Sequence, residues 1–194
     1  MARRKNNGLI FYEKKKLVTA REVYAFLSWA AIVSGAILLA YITVYAFGIR
    51  TTVIGDSMTP GLVNGQEILI NRLAYNVFEP AAGDVIVFKP NGNENAHTYV
   101  KRVVAVPGDT VRIMNGILYV NEEPTDLYTD SIENPGIAAS DISVGEDEYF
   151  VMGDNPNTSE DSRNANIGNI KKSTIIGKAW FHMAGGSEGL GRIR

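Results

Sequence analysis

Two side chains in this sequence sit where covalent chemistry could be built. The first is Lys101, which interrupts the apolar run Tyr99-Val100-Lys101-Arg102-Val103-Val104-Ala105-Val106. In an extended chain alternate residues share a face, which places Lys101 with Tyr99, Val103 and Ala105. If that face is the interior, the ammonium is desolvated and its pKa falls. An ordinary lysine is neutral only about once in a few thousand molecules at pH 7, whereas one lowered to about 7–8 is a usable general base. The second is Ser57, in Gly55-Asp56-Ser57-Met58-Thr59-Pro60. A glycine two positions earlier permits a tight backbone approach, and a proline three positions later stiffens the exit. A serine hydroxyl attacks a carbonyl only when a neighbouring base takes its proton. Taken singly, each segment has a simpler reading: a lysine on the solvent face of a strand, and a turn serine.

A third segment, Gly153-Asp154-Asn155-Pro156-Asn157-Thr158-Ser159-Glu160-Asp161-Ser162-Arg163, crowds carboxylates, a guanidinium and several hydroxyl and amide groups. It does not fit a calcium loop. Counted from Asp154, the third, fifth and sixth positions are Pro156, Thr158 and Ser159, where an EF-hand needs two oxygen ligands and then glycine. A carboxylate–guanidinium network shaping a turn is expected instead, with no metal and no cofactor. Cysteine is absent, which excludes disulfides, thiolate catalysis and Cys-based metal sites. His97 and His182 lie apart without a partner pattern and read as surface or structural residues.

The elements that must position these groups fall into two parts. Val23–Ile49 is a run of 27 residues without a charge. As a helix it would extend about 40 Å, enough to cross a hydrocarbon core of about 30 Å. Trp29 and Tyr24 near one end, and Tyr41, Tyr45 and Phe47 near the other, suit the two interfaces. Residues 1–22 carry seven Lys/Arg against Glu13 and Glu22, while the remaining twelve of nineteen basic residues and nineteen of twenty-one acidic residues lie from Arg50 onward. This asymmetry places residues 1–22 in the cytoplasm, residues 23–49 in the lipid bilayer and the rest outside. It also argues against a nucleic-acid partner, which would draw positive charge onto the folded domain.

Beyond Arg50 the pattern becomes short β-type runs between Gly, Pro and Asn. Val85–Phe88, Tyr99–Val106, Val111–Met114, Ile117–Val120, Tyr149–Met152 and Ile175–Phe181 read as strands, and Asn115-Gly116 as a hairpin turn. The expected fold is mainly β: an antiparallel, coiled, barrel-like domain over residues 50–184, behind one N-terminal transmembrane helix. Residues 121–147 are acidic and turn-rich and read as a surface excursion or small lobe. Residues 185–194, with Gly185–Gly191 (GGSEGLG), read as a flexible tail.

In this order, behind one apolar span, these segments closely resemble bacterial type I signal peptidases. The resemblance runs from about Val23 to Phe181, and its most specific pieces are GDSMTP, GDVIVFK, YVKRVVAVPGD and GDN…SEDSR. It implies a Ser/Lys protease that removes signal peptides from exported preproteins outside the cytoplasmic membrane, cutting after small residues. Carried over by position, Ser57 is implied as nucleophile and Lys101 as general base. Ser159 is implied as the hydroxyl that holds the lysine. The oxyanion is implied to bind the Ser57 N–H, and Gly55 stands where some members add a serine hydroxyl. Met58, Phe88 and Tyr99 are implied to wall the site, with Val53 and Val100 lining the small substrate pockets. Arg102 with Asp154, and Asp161 with Arg163, are implied as bracing ion pairs. Two departures from the family pattern are Gly61 after Pro60 and Pro156 after Asn155. A relative dedicated to a few secreted proteins, and a non-enzymatic assembly factor, are the alternatives.

Overall fold

The computed structural model describes residues 19–90, 97–185 and 189–193. Most of the basic N-terminal segment, residues 1–18, and part of the expected tail, 186–188 and 194, lie outside the described residues. The chain divides into two compact units, one ending at Tyr41 and the other running from Ile42 to Arg194.

Helix α1 spans Ala20–Phe47, 28 residues, and is long and apolar enough to cross a membrane. Thr19 stands before it, and its N–H and hydroxyl both donate to the Glu22 carboxylate, at 2.9 and 2.8 Å, which gives the N–H at this end a partner. Ala46 is its one buried residue, and Phe26, Trp29 and Leu39 stand about two-thirds exposed or more. The helix begins three residues before the expected Val23 and ends two before the expected Ile49. Ile49 is drawn instead into strand β1 (Ile49–Thr52), where β pairing replaces helical hydrogen bonds.

From there the chain is mostly antiparallel β. The strands are β2 (Glu67–Asn71), β3 (Val85–Phe88), β4 (Tyr99–Ala105), β5 (Thr110–Met114), β6 (Ile117–Val120), β7 (Glu123–Pro124), β8 (Ile142–Ser143), β9 (Glu148–Met152), β10 (Ile170–Lys171), β11 (Ile175–His182) and β12 (Gly191–Arg192). A four-residue helix α2 covers Ala74–Val77. The larger sheet runs β1-β2-β11-β3-β4-β9-β10, with β12 against β11. Register shifts at Val103/Ala105, Ile175/Gly177 and Ala179/Phe181 curl it, because a bulge sharpens strand twist. The smaller sheet runs β7-β6-β5-β8.

All six expected strands are present, within a residue or so of their expected ends. The β5–β6 hairpin turns through Asn115 (φ 51°) and Gly116 (φ 78°), the two positive φ values a two-residue turn of this kind requires. Strands β1 and β2 were not anticipated. They are short, and pairing with each other and with β11 is what orders them.

Two segments carry structure that the sequence left open. Residues 121–147, expected as a surface excursion or small lobe, hold β7, β8 and a 3-10 turn at Gly136–Ala139. Ile132, Ala138 and Val144 are buried with Val111, Ile113, Leu118, Phe150 and Met152, so the segment closes an apolar core shared by both sheets. The tail is likewise tied down where described. Gly191–Arg192 pairs with Phe181–His182, and the Ile193 N–H donates to Trp180 O at 3.1 Å.

Ile132, 3% exposed, tests the lobe's place in the core. Ile132→Ala should cost about 2–4 kcal/mol in urea unfolding of the full chain in detergent. Leu127→Ala, on the same segment but 46% exposed, should cost less than about 0.5 kcal/mol.

Candidate active site

Strand β4 carries the lysine. It lies inside the larger sheet with β3 and β9 paired along its two edges, and because β3 is buried at all four positions and β9 at four of five, both faces of this part of the sheet are covered. Lys101 is 3% exposed and stands in register with Ile86. Only Tyr99 and Arg102 of β4 retain partial exposure. The solvent-face alternative is thereby excluded, and the reason is tertiary: β4 is covered on both faces.

The serine arrives on a turn. The Thr59 N–H donates to Asp56 O at 3.2 Å and the Leu62 N–H to Met58 O at 2.8 Å, while Met58, fully buried, pins the turn into the core with Val53, Leu62 and Val100. The third segment clasps it from the other side, with the Asn155 N–H donating to Ser57 O at 3.0 Å. Lys101 Nζ then lies 2.8 Å from Ser57 Oγ, and 5.9 Å from the centre of the Tyr99 ring.

Burial pushes the Lys101 amine down to about 8, and the Arg163 guanidinium adds to that; Asp161, Glu160 and Asp154 pull the other way. Burial dominates. At about 8, about one molecule in ten holds the neutral amine at pH 7, against about one in a few thousand for an ordinary lysine. A neutral amine 2.8 Å from a hydroxyl is poised to take its proton.

Both anticipated ion pairs form. Arg102 binds Asp154 through two parallel bonds of 2.7 Å and also donates to Gly83 O. Arg163 binds Asp161 at 2.8 and 2.9 Å and donates to the carbonyls of Asn134, Pro156 and Ser159. Such forked pairs are strong because both bonds are charge-assisted and coplanar. They fold the loop 153–163 against the turn. The Ser159 hydroxyl, implied by the resemblance to hold the lysine, accepts the Gly153 N–H at 3.2 Å, while the Lys101 amine bonds Ser57; Asp161 accepts the same Gly153 N–H at 3.3 Å.

The two departures acquire a steric meaning. A Cβ on Gly61 would collide with the Asp154 carboxylate, so a larger residue there would disturb the pair with Arg102. A Cβ on Gly153 would collide with both Ser57 O and Ser159 Oγ. Pro156 is buried, and its carbonyl receives Arg163.

A groove of about 330 Å³ opens beside Ser57 and Lys101. Of the anticipated contact residues, Val53, Gly55, Tyr99 and Val100 line it. Met58 and Phe88 do not. Both are fully buried, Phe88 against the Tyr99 ring at 5.8 Å, so they back the site without surface for a ligand to touch. The groove is also lined by Ile54, Thr158 and Glu160, which the sequence did not single out, and by His97, which is exposed as a surface residue would be. Only the fold brings them there. Glu160 accepts the Tyr99 hydroxyl at 3.3 Å. His182 is buried, its Nδ1 2.9 Å from Gln66 Nε2.

A curled antiparallel sheet with a serine and a buried lysine in contact, on a chain with an apolar N-terminal helix, defines a narrow class of protein. The family described as "Signal peptidase, peptidase S26" matches residues 26–184, and this chain belongs to that family of peptidases. It is 35% identical over 158 residues to signal peptidase I P of Bacillus subtilis subsp. natto, covering 73% of this chain and 82% of that one. It is 33% identical over 167 residues to signal peptidase I S of Bacillus subtilis strain 168, covering 81% and 88%. A crystal structure of a signal peptidase I from Enterococcus faecalis V583 is 29% identical, covers 52% of this chain and 97% of its own, and superposes with a TM-score of 0.40.

The lysine's burial has a consequence for stability. Its folded pKa of about 8 lies below the usual 10.5, so below pH 8 the folded protein bears the full cost of a buried ammonium, and that cost fades as pH rises towards 10.5. Lys101→Met should therefore be more stable than the wild type at pH 7, by up to about 3 kcal/mol, with the advantage vanishing near pH 10.5. Urea unfolding of both chains at pH 7, 9 and 10.5 measures it.

Proposed function

We propose that this chain is a membrane-bound serine endopeptidase that removes N-terminal signal peptides from exported preproteins. Ser57 is the nucleophile and Lys101 the general base. The observation that carries this reading is the 2.8 Å approach of Lys101 Nζ, 3% exposed, to Ser57 Oγ.

The substrate enters as an extended strand. In β4 the Val103 N–H and C=O point towards the β3 side, donating to Asp84 O and accepting from Gly83 N. By the two-residue alternation of an antiparallel pair, those of Val100 and Thr98 point the opposite way. Strand β9 covers that edge only from Arg102 onward. Among the described residues the N-terminal half of β4 thus has no strand paired on that edge, beside the groove, which suits strand addition. Val53 and Val100 shape shallow apolar pockets that accept alanine-sized residues at −1 and −3 from the cut.

Neutral Lys101 takes the Ser57 proton as Oγ adds to the scissile carbonyl. The oxyanion binds the Ser57 N–H, and the tetrahedral adduct expels the mature protein's amine, which receives the proton from Lys101. The signal peptide is left esterified to Ser57. Water, deprotonated by Lys101, then releases it and restores the serine. Ser159 holds the loop edge through Gly153. Helix α1 serves as the membrane anchor, with residues 1–22 cytoplasmic and residues 50–184 extracytoplasmic. An anchor in the same bilayer as the apolar part of a signal peptide raises the effective concentration of the cut site.

Cleavage of a preprotein with an Ala-X-Ala site, by the full chain in detergent, tests the reading. Ser57→Ala and Lys101→Met should each abolish turnover without loss of fold; near-normal rates from Lys101→Met would sink the assignment. The rate should climb with pH through about 8, because the neutral amine is the reacting form. Glu160 pulls the Lys101 pKa upward, so Glu160→Gln should move that onset to lower pH.

A further inference from the structure

The Ser57 N–H has no acceptor among the described residues. It is the main-chain donor of the nucleophile's own residue, and its direction is set by the backbone of Gly55, Asp56 and Ser57. Gly55 holds φ +83°, and a Cβ placed there would meet nothing within 4 Å, so the backbone conformation and not crowding calls for glycine. Glycine tolerates this conformation but does not enforce it, because it has many others open to it. Something else must hold the peptide.

Downstream of Gly55 the constraints are many. The Thr59 N–H reaches Asp56 O, the Asn155 N–H reaches Ser57 O, and Met58 is buried. Upstream they thin out. Val53 is bound to the chain at 65–66 by two main-chain bonds, Val53 N–H to Gln66 O at 2.9 Å and Gly65 N–H to Val53 O at 2.8 Å. Ile54 is 74% exposed and packs against little. The next rung is made by a side chain: the Gly55 N–H donates to Asn64 Oδ1 at 3.1 Å. Asn64 is itself exposed, on the turn before Gly65 (φ +80°), where several polar residues would satisfy the turn equally well. What distinguishes an amide here is its reach to Gly55, nine residues back in the chain.

We infer that Asn64 is a positioning residue for the oxyanion donor: by holding the Gly55 N–H it fixes the Ile54–Gly55 peptide and so aims the Ser57 N–H into the groove. The inference rests on the proposed reaction at Ser57. It also accounts for a site that has glycine where a serine hydroxyl could have been a second donor, since a single donor must then be held well. The Asn64 side chain bonds Gly55 and neither Lys101 nor Ser57, and it does not line the groove. Its loss therefore leaves the base, the nucleophile and the pockets in place. The reaction should suffer in kcat and not in KM, because the donor matters only once charge has formed on the oxygen.

The test uses the full chain in detergent with the same Ala-X-Ala preprotein, measuring kcat, KM and the pH of onset for wild type, Asn64→Ala and Asn64→Asp. Outright loss of one oxyanion donor lowers kcat about 100–1,000-fold, so a loosened one should lower it about 10–100-fold in Asn64→Ala. KM should stay within about twofold, and the onset pH and thermal midpoint should not move. Asn64→Asp should recover most of the rate, because a carboxylate oxygen accepts the same N–H. Asn64→Leu, of similar shape but without an acceptor, replaces the alanine variant if that folds poorly. Normal kcat in Asn64→Ala or Asn64→Leu overturns the inference. So does a rise confined to KM, a shifted onset, or an aspartate variant as slow as the alanine. An inactive wild type, or an active Ser57→Ala, instead overturns the reading of the reaction itself.

Discussion

The structure depends on the placement of one amine. An ammonium removed from water is costly, and here burial lowers the amine's pKa to about 8, which is the property the proposed base requires. The burial follows from the place of β4 inside the sheet: β3 and β9 pair along its edges, and neighbouring residues pointing to opposite faces are alike buried. The remaining features of the site keep an alcohol within hydrogen-bond range of that nitrogen and keep water away from it.

Three chain segments converge to do this, and each is held by a different kind of force. Strand β4 is held by its ladders. The serine turn is held by apolar packing through Met58 and by hydrogen bonds to its carbonyls. The loop 153–163 is held by two forked ion pairs, Arg102–Asp154 and Arg163–Asp161, the second almost wholly buried. Buried pairs of this kind contribute less to stability than to holding one arrangement, because desolvation offsets much of the attraction. Their value lies in geometry: Gly61 lets Asp154 come close, and Gly153 lets the loop lie against Ser57 and Ser159.

The apolar helix and the catalytic sheet follow separate physical rules. In α1 the backbone is satisfied internally and apolar side chains face outward, as a lipid-facing segment requires. In the domain from Ile42 onward, short strands bury apolar residues between layers, and the lobe at 121–147 completes one of those layers. Its acidic, turn-rich surface conceals Ile132, Ala138 and Val144, which join a core whose other members lie on β4, β5, β6 and β9.

Local order was largely readable from residue order. The uncharged run at 23–49, the alternating β-branched strands and the Asn115-Gly116 turn follow rules that span only a few neighbours, and so do the helix, strands and hairpin they produce. The chemistry-bearing residues Ser57 and Lys101 stood out by type and setting, and the order of three motifs pointed to the family. Tertiary structure alone decided that both faces of β4 are covered. It also decided that Met58 and Phe88 sit behind the site, that Glu160 and His97 reach the groove, and that Asn64 meets Gly55. Burial and proximity across 44 residues between Ser57 and Lys101 are properties of packed layers, and no window along the chain contains them.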